Sequence, residues 1–477
     1  MSLQPAKSLT VLQQRVRLGD PHVSTDNRDS LSILFSMYEA LVCHDGSGGY
    51  LPALAESWTL GEDARTWTFS LRNPVAFHNG DTLEADDVVT NLQRVCDPDI
   101  GGELGSQGVY RSYLAGAVIE AADRHTVRVV TPEPFADLLD LLVLFPIAPR
   151  RALPSLLSCP VGSGPYRFEG GDEGQIIMKA FPEYWGGRPE AGEVCWRAEP
   201  DPDLRTEALL SGEADLVADV TPGAAQQIAG SQVATVVTAQ SSVCTIFMCN
   251  MKRGVCTDKR VRQALNHALN VPELIDTVME GFATALNGPL TTLHFGCDPA
   301  TSPYAYDPGR ARDLMAESGW GSGMRVVLDV PSILPDEAPR LARCMAEQYG
   351  EVGITTEVRE FSDRPGYAEM VRAKQIDDAC CFDSSPLSTY RVLREKFHSR
   401  LRGPWWQGYA SPEVDTLIEK AQATVDVARR RDIYHRAYRL IREDAPWIFL
   451  YAPTISWGVG QRARGWSASV DGLVRFA

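Results

Sequence analysis

The chain has 477 residues, 44% of them apolar and 23% charged, a globular balance with room for two or three domains and not that of a disordered chain. Its net charge of −16 disfavours a nucleic-acid or anionic-membrane partner, because phosphate recognition needs clustered Lys and Arg. The longest apolar stretch, LLDLLVLFPIA from Leu138 to Ala148, contains Asp140 and Pro146 and is far too short to cross a bilayer.

The opening MSLQPAKSLTV has no basic segment followed by an apolar core, so no secretory signal is visible, although MSL also suits a start placed at a mature end. STDNRDSLSILFSMYEAL, Ser24 to Leu41, reads as a loop entering a helix that ends near Tyr38, with Asp29 or Ser30 as its cap. TWTFSLR alternates Trp67, Phe69 and Leu71 with Thr66, Thr68, Ser70 and Arg72, the period of a half-buried strand. VAFHNGDTLEADDV, Val75 to Val88, gathers His78, Asp81, Glu84, Asp86 and Asp87, which raises the question of a metal site. Asn79-Gly80 is a turn signal, and Val88, Val89, Leu92 and Val95 then recur at helical spacing. Glu84, Asp86 and Asp87 fall in the first helical turn, where unpaired N–H groups and the macrodipole favour each carboxylate by about 0.3–1 kcal/mol. The expectation is a capped helix and no metal.

HTVRVVT, His125 to Thr131, is a second strand, stopped by Pro132. DKRVRQALNHALN places Val261, Ala264, Leu265, Ala268 and Leu269 on one helical face, with Asp258 as N-cap. DVARRRDIYHRAYRLIREDAP carries Ile433, Ala437, Leu440 and Ile441 at the same spacing before Pro446. The fold class is mixed α/β. Eleven cysteines, at 43, 96, 159, 195, 244, 249, 256, 297, 344, 380 and 381, are odd in number and show no CxxC or zinc spacing. They read as small core residues, with one or two bridges left open, and their usage leans toward a reducing compartment.

YEALVCHDGSGGYLPALAESWTLGEDARTWTFSLRNPVAFHNGDTLEADDVV resembles the signature region of the family 5 solute-binding proteins of ABC transporters, which include dipeptide, oligopeptide and nickel receptors. Further matching stretches follow in order: VGSGPYRF (Val161 to Phe168), EYWGGRP (Glu183 to Pro189), LLSGEADL (Leu209 to Leu216), DKRVRQALNHALN, YDPGRARDLMAESGW (Tyr306 to Trp320), YASPEVDTLIEKA (Tyr409 to Ala421) and IREDAPWIFLY (Ile441 to Tyr451). The resemblance implies a periplasmic-binding-protein-like type II fold, two lobes joined by a hinge with an extra α/β domain inserted in the first. Lobe I would comprise 1–35, 158–244 and 456–477, the extra domain 36–157, and lobe II 245–455, with ligand held between the lobes by closure. GSGP lacks the Lys-Ser/Thr of a phosphate loop, and YWGG and SGEADL read as turn and packing segments.

In peptide-binding relatives an Asp in a W-x-x-D stretch takes the peptide amino group. The corresponding DACCFDSSPLSTYRVL, Asp378 to Leu393, offers Asp383, but Cys380 stands at the tryptophan position and Asp383 lies one residue nearer Pro386 than that pattern has it. This departure shifts the expected ligand from simple peptides toward a small polar solute, sugar-containing, opine-like or peptide. Ser384, Ser385, Ser388, Thr389 and Tyr390 are hydroxyl donors suited to sugars or phosphates, and Arg391 or Arg394 could fork onto an anion. GPWWQGY, Gly403 to Tyr409, supplies Trp405 and Trp406, one of which would stack on ligand. Asp26 and Asn27 are the candidates from the N-terminal loop. His78, His267, His294 and His398 are isolated, so no metal and no cofactor are expected.

The expected role is therefore that of a monomeric extracytoplasmic receptor, periplasmic or cell-surface attached, which hands a small molecule or peptide to ABC permease subunits without chemistry. A dipeptide or oligopeptide receptor is the near alternative. A hydrolase lacks a GxSxG or HExxH motif but keeps 62 acidic residues from which a pair could form. A cytoplasmic ligand sensor would suit the cysteines and the missing signal, yet no basic DNA-binding segment accompanies it.

Overall fold

The computed structural model describes residues 7–25, 27–46, 48–102, 108–172, 174–321, 323–333 and 335–476. These divide into two compact units, one built from 1–239 with 455–477 and the other from 240–454.

In the first unit a mixed sheet runs Leu216–Ala218, Ser8–Gln13, Glu193–Ala198, Gln175–Ala180, Tyr166–Asp172. The first three strands are parallel and the rest antiparallel, and the second half of the long strand Trp447–Gly460 closes the other edge. The helix Arg28–Met37 buries Ile33, Leu34 and Met37 against the core formed with Val11, Trp196, Leu216 and Trp457. A separate antiparallel sheet, Ala55–Leu60, Thr66–Leu71, Thr126–Val130, Val118–Asp123, carries the helix Ala85–Arg94. In Thr66–Leu71 the residues Trp67, Phe69 and Leu71 point inward while Thr66, Thr68 and Ser70 stay half-exposed, the alternation seen in the sequence.

In the second unit the order is Thr355–Phe361, Arg325–Pro331, Ala379–Ser384, Cys244–Cys249, then the first half of Trp447–Gly460. The first three strands are parallel and the next two antiparallel to their neighbours. Cys244–Cys249 is buried along its whole length because helices cover both sheet faces: Phe247 and Cys249 enter one core, Cys244, Ile246 and Met248 the other. The helix Lys259–His267 is capped by the Asp258 carboxylate, which accepts from Arg260 N at 2.8 Å, and buries Val261, Ala264 and Leu265. Val427–Asp444 buries Ile433, Ala437 and Ile441 as expected, leaves Leu440 half-exposed, and adds Tyr434 and Tyr438 to its buried face. Among the described residues no helix is long and apolar enough to cross a membrane.

Candidate functional site

In open α/β sheets, ligands lie beyond the carboxyl ends of the parallel strands. In the second unit three neighbouring strands each deliver one charged group there. Arg364 opens the helix that follows Thr355–Phe361, Glu337 precedes the helix that follows Arg325–Pro331, and Asp383 is the penultimate residue of Ala379–Ser384. Arg364 Nη2 stands 3.8 Å from Asp383 Oδ1, with the arginine side chain 9% exposed and the aspartate 34%. The same guanidinium lies over the rings of Tyr367 and Phe382, 5.7 and 5.6 Å from their centroids, so its position is fixed by packing as well as charge.

Glu337 is held above the usual carboxylate range by burial first, with Asp336 and Asp383 adding like charge, while the Tyr451 hydroxyl donates to its Oε1 at 3.4 Å. Thr245 pairs with Asp383 on one side and with Tyr451 on the other, so the tyrosine is set two strands from the aspartate by sheet register alone. Arg364, Asp383 and Glu337 thus come together at one half-exposed sheet edge.

The candidate hydroxyls divide. Ser388 caps the helix Thr389–Lys396 by accepting from Arg391 N at 3.1 Å, and Thr389 Oγ1 accepts from Gly296 N at 2.9 Å. Ser385 is pinned through its carbonyl by Ser242 Oγ (3.2 Å), and Pro386 through its carbonyl by His294 Nε2 (2.8 Å). Ser384 is buried, with no hydrogen-bond partner for its Oγ among the described residues. Arg391 Nε lies 3.1 Å from Glu395 Oε1 one turn along its own helix, and Tyr390 is half-buried against the apolar core. Trp405 packs on Phe382 with the rings tilted by 41° and their centroids 4.6 Å apart, and with Arg372 5.7 Å from its own centroid, whereas Trp406 is buried and its indole N–H donates to Tyr409 O at 2.6 Å. Since Phe382 and Asp383 project to opposite sides of their strand, Trp405 packs on the side opposite the Asp383 carboxylate.

In the first unit the corresponding edge gathers Gln13, Asp29, Asp219 and Arg28. The buried Gln13 side chain donates to Arg15 O (2.8 Å) and Asp29 O (3.1 Å), and Arg28 Nη2 reaches Asp219 at 3.7 Å. Burial and then Asp219 push the Asp29 carboxyl up to about 6, against Arg15 and Arg28. Asn27 is the N-cap of Arg28–Met37, accepting from Ser30 N at 3.1 Å, so the cap expected at Asp29 or Ser30 belongs to Asn27. Asp26 lies outside the described residues.

The stretch that opened the metal question is structural. Asp87 accepts from Glu84 N at 2.9 Å and from Arg150 N at 2.9 Å, and Arg150 and Arg124 also engage Glu84. His78 Nε2 pairs with Gly164 O at 2.9 Å, and burial drives its ring down to about 4. Among the described residues no group of three or more His, Cys, Asp or Glu is placed to hold a metal.

Sequence reasoning missed Glu39. Its carboxylate accepts from Ser163 Oγ (2.8 Å), Tyr184 Oη (3.1 Å) and Trp185 Nε1 (2.9 and 3.0 Å), while the Arg72 guanidinium lies 4.1 Å over the Trp185 ring. The YE, GSGP, YWGG and strand-end LR stretches thus converge on one buried acid, pushed up to about 7 by burial. No spacing reveals this, because its members lie up to 146 positions apart.

Residues 49–412 match the family model for bacterial extracellular solute-binding proteins, family 5. The chain belongs to that family. It is 27% identical over 475 residues to the glutathione-binding protein GsiB of Pectobacterium atrosepticum, covering 96% of this chain and 90% of that one. HbpA2 from Haemophilus parasuis has a similar fold (TM-score 0.85, 20% identity, 98% of each chain). So does DppA from Helicobacter pylori, solved with the peptide STSA (TM-score 0.79, 23% identity, 98% and 96% of the two chains). The architecture is that of the type II periplasmic binding proteins.

Proposed function

We propose that this family 5 protein is the extracytoplasmic receptor of an ABC importer and that it captures a small zwitterion, a short peptide or glutathione-like molecule, by its amino group. The observation that carries this reading is the Asp383–Glu337–Arg364 edge. Arg364 and Glu337 both stand close to Asp383, so a ligand ammonium placed at this half-exposed edge would meet two carboxyl groups. Two of the five hydroxyls that favoured a sugar are engaged, Ser388 as a helix cap and Thr389 in fixing the loop, which weakens the case for hydroxyl chemistry against charge. The glutathione-binding relative and the peptide complex of DppA support the same class. The lobes would close around the solute and the closed form would dock on permease subunits in the periplasm or at the cell surface. Binding would do the work, through contacts that favour the closed state. The test is a native mass spectrum of the purified protein with collisional release of what it carries. A released solute with a primary amine and a carboxylate supports the reading; a neutral sugar or a product of turnover contradicts it.

A further inference from the structure

A second charged feature lies at the other end of the sheet in the 240–454 unit. The strand Cys244–Cys249 ends beside Ala379, where Ala379–Ser384 begins, so the turn that follows it sits at the amino ends of the parallel strands, away from Asp383. That turn presents Lys252 and Arg253, both exposed. Arg253 Nη2 donates to Ile376 O at 2.9 Å, close in the chain to Lys374, which lies just past the helix Arg364–Arg372. Lys374 Nζ donates in turn to Gly403 O (3.3 Å) and Pro404 O, beside Arg402, whose guanidinium lies 5.4 Å from the Trp406 centroid. The circuit closes at Gly408, where a Cβ would come within 2.7 Å of Lys252 Cγ, and at Met251 N, which donates to Gln407 O at 2.9 Å.

Several other exposed cations of this unit are matched by acids: Arg325 by Glu357, Arg343 by Glu360, Arg400 by Glu419 and Lys259 by Glu443. Among the described residues none of Lys252, Arg253, Lys374 and Arg402 pairs with a carboxylate. Arg253, Lys374 and Arg402 reach only backbone carbonyls and a ring. The Asp378 carboxylate beneath the turn accepts from Val327 N at 3.0 Å. Burial and then the neighbouring Lys252 bring the Lys374 amine down to about 8, the direction that desolvation and like charge both favour. The fold holds these cations together, because Asn250 N donates to Asp378 O (2.8 Å) and Gln407 Nε2 to Val371 O (2.9 Å), pinning the turn and the loop to the same helix end.

We propose that Lys252, Arg253, Lys374 and Arg402 form a docking face for an acidic protein segment, an extended run of several carboxylates. The four cations are anchored at separate points, Gly408, Ile376 O, Pro404 O and the Trp406 ring, so they suit carboxylates in a row rather than one small anion. An anionic bilayer or a nucleic acid extends its charge over the whole molecule, whose net −16 it repels. A short acidic segment meets the patch within a Debye length of about 8 Å and little else. In the receptor reading the permease subunits are the proteins this chain meets, and only that naming of the partner rests on the reading. Docking here leaves the Asp383 edge, at the opposite strand ends, open to ligand.

The test uses the whole chain and N-acetyl-hexaglutamate amide, a probe with no free amine for the Asp383 edge. Calorimetric titration should show saturable binding in about 0.01 M salt that weakens about tenfold or more in about 0.15 M salt, as the Debye length falls from about 30 Å to about 8 Å. The K252E/R402E variant should lose about tenfold or more at low salt, since reversal turns two exposed attractions into repulsions. Asp383→Asn should bind the probe as the wild type does, and N-acetyl-hexaglutamine amide should not bind. No saturable binding, equal binding by K252E/R402E or of the glutamine peptide, or loss of binding in Asp383→Asn overturns the proposal. So does sedimentation with mixed phosphatidylcholine and phosphatidylglycerol vesicles that K252E/R402E abolishes. If that variant fails to fold, the salt dependence and the glutamine peptide still decide. None of these outcomes alters which solute the protein releases, so failure here leaves the receptor reading standing.

Discussion

Glu39 and Asp383 are both carboxylates set at the ends of elements, yet their surroundings assign them opposite duties. Glu39 faces three side-chain donors from two distant loops and is deeply enclosed, and the Arg72 guanidinium over the Trp185 ring adds a favourable charge. Asp383 lies 3.8 Å from Arg364, keeps a third of its side chain exposed and shares its edge with a second acid. A carboxylate saturated by its own chain has nothing left for a ligand, and its removal strands buried donors. A partly exposed carboxylate at a sheet edge can be changed with less harm to the fold than to recognition.

The largest expected effect follows from the first of these. Glu39→Ala leaves the Ser163, Tyr184 and Trp185 donors without an acceptor and should cost about 1–3 kcal/mol of unfolding free energy in urea for each donor left unsatisfied, whereas ligand affinity per folded molecule stays unchanged. Asp383→Asn should do the reverse: about 2–5 kcal/mol of binding free energy lost in a calorimetric titration, with a Tm close to that of the wild type. Loss of stability without loss of affinity at Asp383 would erase the distinction.

A third test uses pH. The folded Glu39 titrates near 7, above the 4.5 of an ordinary glutamate, so the stability this group contributes is fully present below 4.5 and is lost as pH rises through 7. Glu39→Gln should therefore gain on the wild type in Tm between pH 5 and 8, and a constant difference would contradict the assignment. The buried His22 and His78, both driven to about 4 by burial, act in the opposite sense. Their contribution is present above 6.5 and is lost as pH falls through 4, which should appear as an acid-side loss of Tm in both proteins. The smallest effect is expected at Arg391, whose guanidinium is spent on Glu395 in its own helix. Arg391→Ala should change ligand affinity by no more than about 0.5 kcal/mol, and a larger loss would move the anion-binding end of the ligand to that helix.

Local order was legible in the chain. The alternation of Thr66–Leu71, the faces of Lys259–His267 and Val427–Asp444, and the capping role of Glu84 and Asp87 all follow from periodicity and terminal chemistry acting over a few residues. The family motifs made the fold class readable as well. What could not be read was convergence. Glu39 meets Trp185 only through sheet packing, and Glu337 joins Asp383 because two parallel strands end side by side. The hydroxyls of Ser388 and Thr389 looked available because a sequence does not show which side chains the loop itself consumes. Trp405 and Trp406, adjacent in the chain, separate into a ring packed at a tilt on Phe382 and one buried with its N–H satisfied.

The measurement that bears most directly on the account is calorimetric titration of the protein with dipeptides and glutathione, each as the free amine and as its N-acetyl derivative. Recognition of an ammonium group at the Asp383 edge predicts saturable binding of a free-amine solute and a loss of about 2 kcal/mol or more on acetylation. Equal affinity for the acetylated and free forms, or binding confined to neutral sugars, would contradict it.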